Sequence, residues 1–336
     1  MASEAEAVTR YAAQQERSVR RAFMEFVQNV KSEEMMAEVR AALASGDINE
    51  ALDLIDPYVA RFGNELTDVF METAYDEGLR LRNLLGGGYI AVGFDPTYPR
   101  AAELMRENRL TFLEDFSTQQ KDAIRAVLTE AMDTGLGNIE ASRAFRDVIG
   151  LTQYQQGMVD SYQDLLERGS SQALDRVLRD RRFDSTVASA IENDEVLTAD
   201  QIEMMVGRYT DRLLDMRAET IARTETQRIL NEARDEATRQ IVDQAGFEPG
   251  QVIRTWVAVN DARTRDSHAG LDGQERGLDE PFETEDGVEI MYPGDPDAPA
   301  EEVINCRCTL AIDFADDVKG DKGSVKTDGG DGGDEE

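Results

Sequence analysis

Apolar residues recur at three- and four-residue spacing over most of the first 245 residues, and this spacing predicts a succession of amphipathic helices. Gly86-Gly87-Gly88 is expected to end one of them, because glycine stabilises a helix poorly. The stretch Ser117-Thr118-Gln119-Gln120 has the form of a capping box. We therefore expect a helix to begin there, after a short helix over residues 101–106.

A much longer helix is predicted further along the chain. Thr198 or Asp200 is suited to cap its N-terminus, because a short polar side chain can accept the first free backbone N–H groups. The apolar stripe continues towards Val242, and Gly246 is expected to end the helix.

The pattern changes after Gly246. Residues 251–260 (QVIRTWVAVN) are rich in β-branched and aromatic residues, and residues 304–314 (INCRCTLAIDF) alternate in polarity, so both predict strands. Glu285–Val288 resembles the turn of a short hairpin. The expected fold class is α+β: a long, mostly α-helical N-terminal region followed by a small α+β C-terminal domain with a short antiparallel sheet.

Composition narrows the class of protein. The chain has 336 residues, a length that suggests two or three domains, and 40% of its residues are hydrophobic, which is enough to form a buried core. No apolar run approaches the roughly 20 residues of a membrane-spanning helix, and the first six residues do not resemble a secretory signal, so we expect no membrane association. Two cysteines are too few for a disulfide framework. Residues 315–336 are nearly devoid of apolar residues and predict a disordered acidic tail.

The charge balance is strongly acidic. With 69 acidic and 36 basic residues the net charge is −33, which repels phosphate and excludes a basic nucleic-acid module. Only five of the basic residues are lysines. Scarce lysine with abundant Asp and Glu is typical of proteins that work in concentrated salt, where charge repulsion is screened within about 3 Å at 1 M. We hypothesise a halophilic source; the alternative is an ordinary acidic protein.

Polar and aromatic residues are concentrated between Ala222 and Cys308. Arginine presents a planar fork to carboxylates, so a buried network there would fix loops that lack regular structure. The alternative is a solvated charged helix beside a polar loop. The residues assigned to the network are Arg223, Glu225, Asn231, Trp256, Asp261, Arg263, Arg265, His268, Gly273 and Asn305.

The only histidine and the only two cysteines suggest a metal site. Cys306 and Cys308 are two positions apart on a predicted strand, so their side chains share a face, and a disulfide between them would be strained. His268, both cysteines and a carboxylate such as Asp261 or Asp272 would satisfy four-coordinate Zn²⁺. Cys-x-Cys is a weak zinc signal, however, and buried free cysteines are the alternative.

Signs of catalysis are few. His268 could form an acid–base pair with Asp261 or Asp266, and a cysteine activated by His268 could act as a nucleophile. No nucleophile elbow, phosphate loop or pair of catalytic carboxylates accompanies them. We therefore predict that the protein is not an enzyme.

Six clusters of residues follow one another in a distinctive order. They are Ala222–Glu225 with Asn231, Trp256 on a strand, Asp261–His268, Leu271–Gly273, Pro293–Asp295 and Asn305–Cys308. In this combination the chain resembles the phage head morphogenesis family, the Mu protein F-like minor capsid proteins. With the upstream segments 151–166 and 179–184, the resemblance covers roughly residues 115–314.

The resemblance implies a structural role. Members of the family are minor head proteins that lie inside or near the portal vertex and assist head assembly, and some are thought to contact packaged DNA or leave with it. The implied location is the virion, in the capsid interior or the portal and neck region, after assembly in the host cytoplasm. The implied partners are the portal protein and/or the major capsid protein. The acidic surface argues against strong direct binding to the packaged DNA.

Four regions follow from the pattern and the resemblance. Residues 1–110 are a helical region for docking on the portal or capsid, and residues 111–245 are the helical region of the family. Residues 218–314 are a Mu F-like α+β domain that includes the end of the long helix, and 315–336 are the tail. A metal-dependent hydrolase or effector using His268, Cys306 and Cys308 is the alternative function, and a helical scaffold without a role in the virion is a third.

Overall fold

A computed structural model describes residues 2–86 and 91–319. Its helices are α1 (Ala2–Val30), α2 (Glu33–Ser45), α3 (Ile48–Asp53), α4 (Asp56–Leu85), α5 (Pro99–Asp133), α6 (Asn138–Val148), α7 (Gln153–Glu167), α8 (Asp184–Glu192), α9 (Ala199–Ala245), α10 (Asp266–Leu271) and α11 (Ala300–Val303). Its strands are β1 (Val252–Val257), β2 (Glu275–Arg276), β3 (Phe282–Glu283), β4 (Glu289–Ile290) and β5 (Thr309–Phe314). The predicted α+β class is confirmed.

Helix α9 begins and ends where its sequence signals place it. The Thr198 side chain accepts from the backbone N–H of Gln201, and the Gln201 side chain accepts from that of Thr198 at 2.9 Å, which completes a capping box. At the other end Gly246 adopts a left-handed conformation with φ of 71°. The 47 residues between these caps form a rod about 70 Å long.

Helix α5 is continuous, so the predicted helix start at Ser117 is wrong. The Ser117 hydroxyl donates to the Asp56 carboxylate on α4 at 3.3 Å, and the Gln120 amide oxygen accepts from the backbone N–H of Gly150 at 2.9 Å. Because neighbouring elements satisfy these polar side chains, they do not need a helix terminus. The boundary predicted between residues 110 and 111 falls inside this helix.

Helix α9 passes through three hydrophobic clusters. Its residues 202–214 pack with α7 and α8, residues 218–237 pack with α1–α6, and residues 241–242 belong to the cluster around the sheet. Helices α1–α4, from the region predicted to dock on the portal or capsid, therefore share a core with α5, α6 and the middle of α9.

The sheet is antiparallel with the strand order β2-β1-β5. Trp256 of β1 lies opposite Leu310 of β5. Burial alternates along β1, so that Val252, Arg254 and Trp256 all face inward. Separately, β3 and β4 form the predicted hairpin, whose turn places Gly287 at a φ of 79°.

The predicted tail lies mostly outside the described residues. Residues 315–319 form a turn after β5, in which the Ala315 N–H donates to the Gln251 carbonyl at 2.8 Å and Lys319 lies 3.0 Å from the Asp313 carboxylate. Residues 320–336 fall beyond the described range, as do Gly87 and Gly88 of the predicted helix stop. In the part of the chain that the structure describes, every helix is too short or too polar to cross a bilayer.

Candidate functional site

The one histidine and the two cysteines lie together in the interior. His268 is on α10, and Cys306 and Cys308 lie in the segment between α11 and β5. The His268 Nδ1 atom is 3.4 Å from the Cys308 sulfur and 3.6 Å from the Cys306 sulfur. All three side chains are buried, and Trp256 packs against the imidazole at a centroid distance of 5.4 Å. The predicted grouping of His268, Cys306 and Cys308 is therefore present in the structure.

The other imidazole nitrogen faces an acidic residue. His268 Nε2 lies 2.9 Å from the Glu302 carboxylate on α11, and the Ser267 hydroxyl donates to the same carboxylate oxygen at 3.0 Å. Sequence reasoning missed Glu302, because nothing distinguishes it from the many other acidic residues of the chain. Only the fold brings it to the far side of the histidine.

The two thiols share one hydrogen bond and titrate as a pair. The hydrogen bond from Cys308 lowers the pKa of Cys306 well below that of an ordinary thiol; burial opposes this shift, and His268 adds to it. The same hydrogen bond and burial raise the pKa of Cys308. Each thiol therefore changes the proton affinity of the other.

Asp261, predicted as a fourth ligand, belongs to a different contact. Its two carboxylate oxygens accept from the Arg307 guanidinium at 2.5 and 2.7 Å, and the hydrogen bonds from Arg307 and from the Arg263 backbone lower its pKa far below the usual range. Asp272, the other candidate, accepts from the backbone N–H of Ala258 at 2.8 Å. Among the described residues, the structure brings together His268, Cys306 and Cys308 without either of these carboxylates.

The residues assigned to a single network are divided among several contacts. Arg223 donates to the Asn305 side chain at 3.1 Å, and the Asn305 N–H donates to the Thr224 hydroxyl at 3.1 Å, which ties α9 to the segment before the cysteines. Glu225 pairs with Arg228, one turn along α9, at 2.8 Å. The contacts of Arg223 and Thr224 fix the segment around Asn305 on α9, whereas the Glu225–Arg228 pair lies within the helix.

The remaining members are placed in the loops between the strands. Arg265 donates to the Ile304 carbonyl, whereas the Arg263 side chain is 74% exposed and fits the solvated alternative. The Gly273 N–H donates to the Trp256 carbonyl at 2.9 Å. Trp256 is fully buried in the cluster around the sheet.

Two buried arginines that hold the sheet were not predicted. Arg254 is fully buried on β1 and donates to the backbone carbonyls of Gly277, Glu280 and Met291 at 2.5–3.0 Å. A charged residue at an inward position of an alternating strand was the signal that could have identified it. The second, Arg234 of α9, carries no such local signal.

Arg234 connects α9 to helices α1 and α4 and to strand β5. It donates to the Leu310 carbonyl of β5 at 2.7 Å and to the Glu4 carboxylate of α1 at 3.1 Å, and it lies 3.3 Å from the Glu77 carboxylate of α4. Burial alone would raise the pKa of Glu77, but Arg234 and Arg80 outweigh burial and lower it. The Glu4 carboxylate also accepts from the Ile312 N–H of β5 at 3.3 Å. This buried ion cluster joins α1, α4, α9 and β5.

The Pro293–Asp295 segment packs directly on the backbone of α9. The Asn231 side chain donates to the Pro293 carbonyl at 2.9 Å. Gly294 has a φ of 88°, and a β-carbon there would lie 2.8 Å from the α-carbon of Arg228. Only glycine therefore allows this close approach.

We expect Gly294→Ala to lower the free energy of unfolding by about 2–5 kcal/mol, since left-handed strain of about 1–2 kcal/mol adds to overpacking of about 1–3 kcal/mol. Gly273→Ala is the matched control, because Gly273 has a similar φ of 79° but open space around its β-carbon position. Its expected loss is the strain alone, about 1–2 kcal/mol. Urea unfolding of both variants measures the difference, and equal losses would contradict the close-packing argument.

Comparison with known proteins places most of this architecture in one family. Residues 122–311, more than half of the chain, match the model of a family described as Phage Mu protein F like protein. No curated protein and no solved structure matches the chain. The matched region contains α9, β1–β4 and the cluster of His268, Cys306 and Cys308, and it ends within β5.

Proposed function

Because the chain belongs to the family of Phage Mu protein F like proteins, we propose that it is a minor head protein of a tailed virus that assists head assembly at the portal or the capsid interior. The family is one of structural phage head proteins, and membership therefore indicates a role in head morphogenesis. The proposal rests on the match over residues 122–311, which includes the long helix and the sheet as far as the start of β5.

The contacts made by the motif residues support a structural role. Asn231 holds the Pro293 carbonyl, Arg223 holds Asn305, and Asp261 holds Arg307. Each of these side chains forms at least one hydrogen bond that fixes a loop of the same chain. The proposed partners, the portal protein and/or the major capsid protein, are those that the family implies. A net charge of −33 repels the phosphates of packaged DNA and argues against DNA as a strong partner.

The alternative function, a metal-dependent hydrolase or effector, needs a general base beside an open metal position. In the described part of the chain, Glu302 lies against the outer nitrogen of His268, and Asp261 is held by Arg307. Neither carboxylate is placed to activate a metal-bound water. This arrangement favours the role in head assembly over hydrolysis.

Quantitative mass spectrometry of purified particles tests the proposed role. The copy number is measured relative to the major shell protein in DNA-filled particles and in particles that have been emptied. We expect a low copy number in filled particles. Retention after emptying would indicate a fixed portal or neck component, and loss would indicate ejection with the genome. Absence from both kinds of particle would overturn the virion assignment and favour a scaffold without a role in the virion.

We further propose that the acidic surface is adapted to concentrated salt. Between about 0.1 and 1 M salt, the screening length falls from about 10 to about 3 Å, so repulsion among 69 acidic residues is largely removed. The expected result is a Tm that rises over this range of KCl concentration and levels off near its upper end, measured by circular dichroism. An unchanged or lower Tm would instead indicate an ordinary acidic protein.

A further inference from the structure

We propose that the His268 Nδ1 atom and the sulfurs of Cys306 and Cys308 bind one Zn²⁺ ion that stabilises the fold. The three ligand atoms all lie within 4.8 Å of one another, and their side chains are buried. The ion would link α10 to the segment before β5, which lie 38 residues apart along the chain. This proposal is independent of any role in the virus head.

The two distances from nitrogen to sulfur match those expected around a zinc ion. Tetrahedral Zn²⁺, with bonds of about 2.3 Å to sulfur and about 2.0–2.1 Å to nitrogen, places a nitrogen and a sulfur ligand about 3.6 Å apart. The two observed separations from Nδ1 are 3.4 and 3.6 Å. Both sulfurs therefore already lie at the separation that a shared zinc ion requires.

Hydrogen bonding alone satisfies this cluster less well. A neutral imidazole presents a single lone pair at its unprotonated nitrogen, so Nδ1 accepts well from only one thiol. Here two sulfurs approach the same nitrogen. One Zn²⁺ ion would use the lone pair and both thiolates together.

Glu302 supplies the outer contact that zinc-binding histidines usually have. Its carboxylate lies 2.9 Å from His268 Nε2. A carboxylate at this position favours the tautomer with its proton on Nε2, which leaves the Nδ1 lone pair directed at the sulfurs. Glu302 is thus a positioning residue, and the ligands remain the three atoms already named.

The fourth coordination position is assigned to water. Among the described residues, the set of candidate ligands is limited to His268, Cys306 and Cys308. A small cleft whose lining includes Val259, Thr264, His268 and Cys308 reaches the cluster from outside. A water molecule in this cleft completes the tetrahedron.

Metal analysis of the full-length protein is the first test. Since His268 is the only histidine, the protein is purified without a polyhistidine tag, under reducing conditions and with Zn²⁺ in the growth medium. We expect about one zinc per chain by mass spectrometry of the metal. We also expect thiolate-to-metal charge-transfer absorption after replacement by Co²⁺, and a lower Tm after chelation. Sub-stoichiometric zinc with no such absorption would overturn the proposal.

Variants at Glu302 test the site without removing a ligand. Glu302→Gln is expected to weaken zinc binding by about 10- to 100-fold, because it disturbs only the outer contact. Glu301→Gln is the matched control, since the neighbouring Glu301 is exposed and its affinity for zinc should match that of the wild type. Cys306→Ser together with Cys308→Ser should abolish the charge-transfer absorption. Zinc binding that survives this double substitution would show an adventitious ion and reject the site.

Discussion

Arg234→Ala is expected to lower the free energy of unfolding by about 3 kcal/mol, the lower end of the range for breaking a buried ion pair, because Arg80 still contacts the Glu77 carboxylate at 2.7 Å. The Arg234 side chain is 3% exposed, and Glu77 beside it is 5% exposed. The substitution also removes the donor to the Leu310 carbonyl of β5. The loss combines a weakened ion cluster, in which Glu77 and Glu4 keep only Arg80, with a carbonyl that loses its donor and a cavity.

Arg20→Ala is the matched control for this prediction. Arg20 also connects α1 to α9, through the Asp215 carboxylate at 2.8 Å, but these side chains are 40% and 55% exposed. Exposed pairs contribute about 0–1 kcal/mol, so the control should remain close to the wild type. Both variants are compared by urea unfolding at the same salt concentration. Similar losses for Arg234→Ala and Arg20→Ala would contradict the prediction that a buried ion pair contributes more stability than an exposed one.

Trp256→Ala is expected to cost about 3–5 kcal/mol of unfolding free energy, the range for truncating a buried aromatic side chain. Trp256 is fully buried and lies edge-on to Phe282 at a centroid distance of 5.2 Å, with His268 on another side. Its removal would leave a cavity between β1, α10 and β3.

Two comparisons isolate the effect of Trp256. Trp256→Phe keeps an aromatic ring against Phe282 and should lose clearly less stability than the alanine variant. Val196→Ala changes a residue that is 82% exposed, and its effect should stay within about 0.5 kcal/mol. Because Trp256 is the only tryptophan, unfolding is followed by circular dichroism. A loss below about 1 kcal/mol for Trp256→Ala would contradict tight packing at this position.

Elements with strong local signals were predictable from the sequence. The capping box at Thr198 and the left-handed Gly246 define α9, and the turn at Glu285–Val288 joins β3 to β4. The α+β class follows from the change in periodicity after Gly246. These features depend on residues close together in the chain, where propensity and pattern are informative.

Contacts between distant segments were not predictable in the same way. The pattern at Ser117 looks like a helix start, yet Asp56 of α4 provides its hydrogen-bond partner and α5 continues. In the sequence, Glu302 and Arg234 do not differ from other charged residues. Only the fold places Glu302 beside His268 and Arg234 beside Glu77. The candidate site was therefore identified from its histidine and cysteines, which are rare in this chain. The residues around them, such as Glu302, could be identified only from the structure.

The contact between Glu4 and β5 also constrains how the protein is made. The Glu4 carboxylate and the Ile312 N–H are separated by 308 residues. At a ribosomal rate of about 5–20 residues per second, roughly 15–60 s pass between the synthesis of these two partners. The middle of α9 is made before β5, so β5 is the last of these partners of α1 to be synthesised. The contacts of α1 with β5 therefore form late, only after the intervening helices have been made, and this long-range pairing is expected to slow folding.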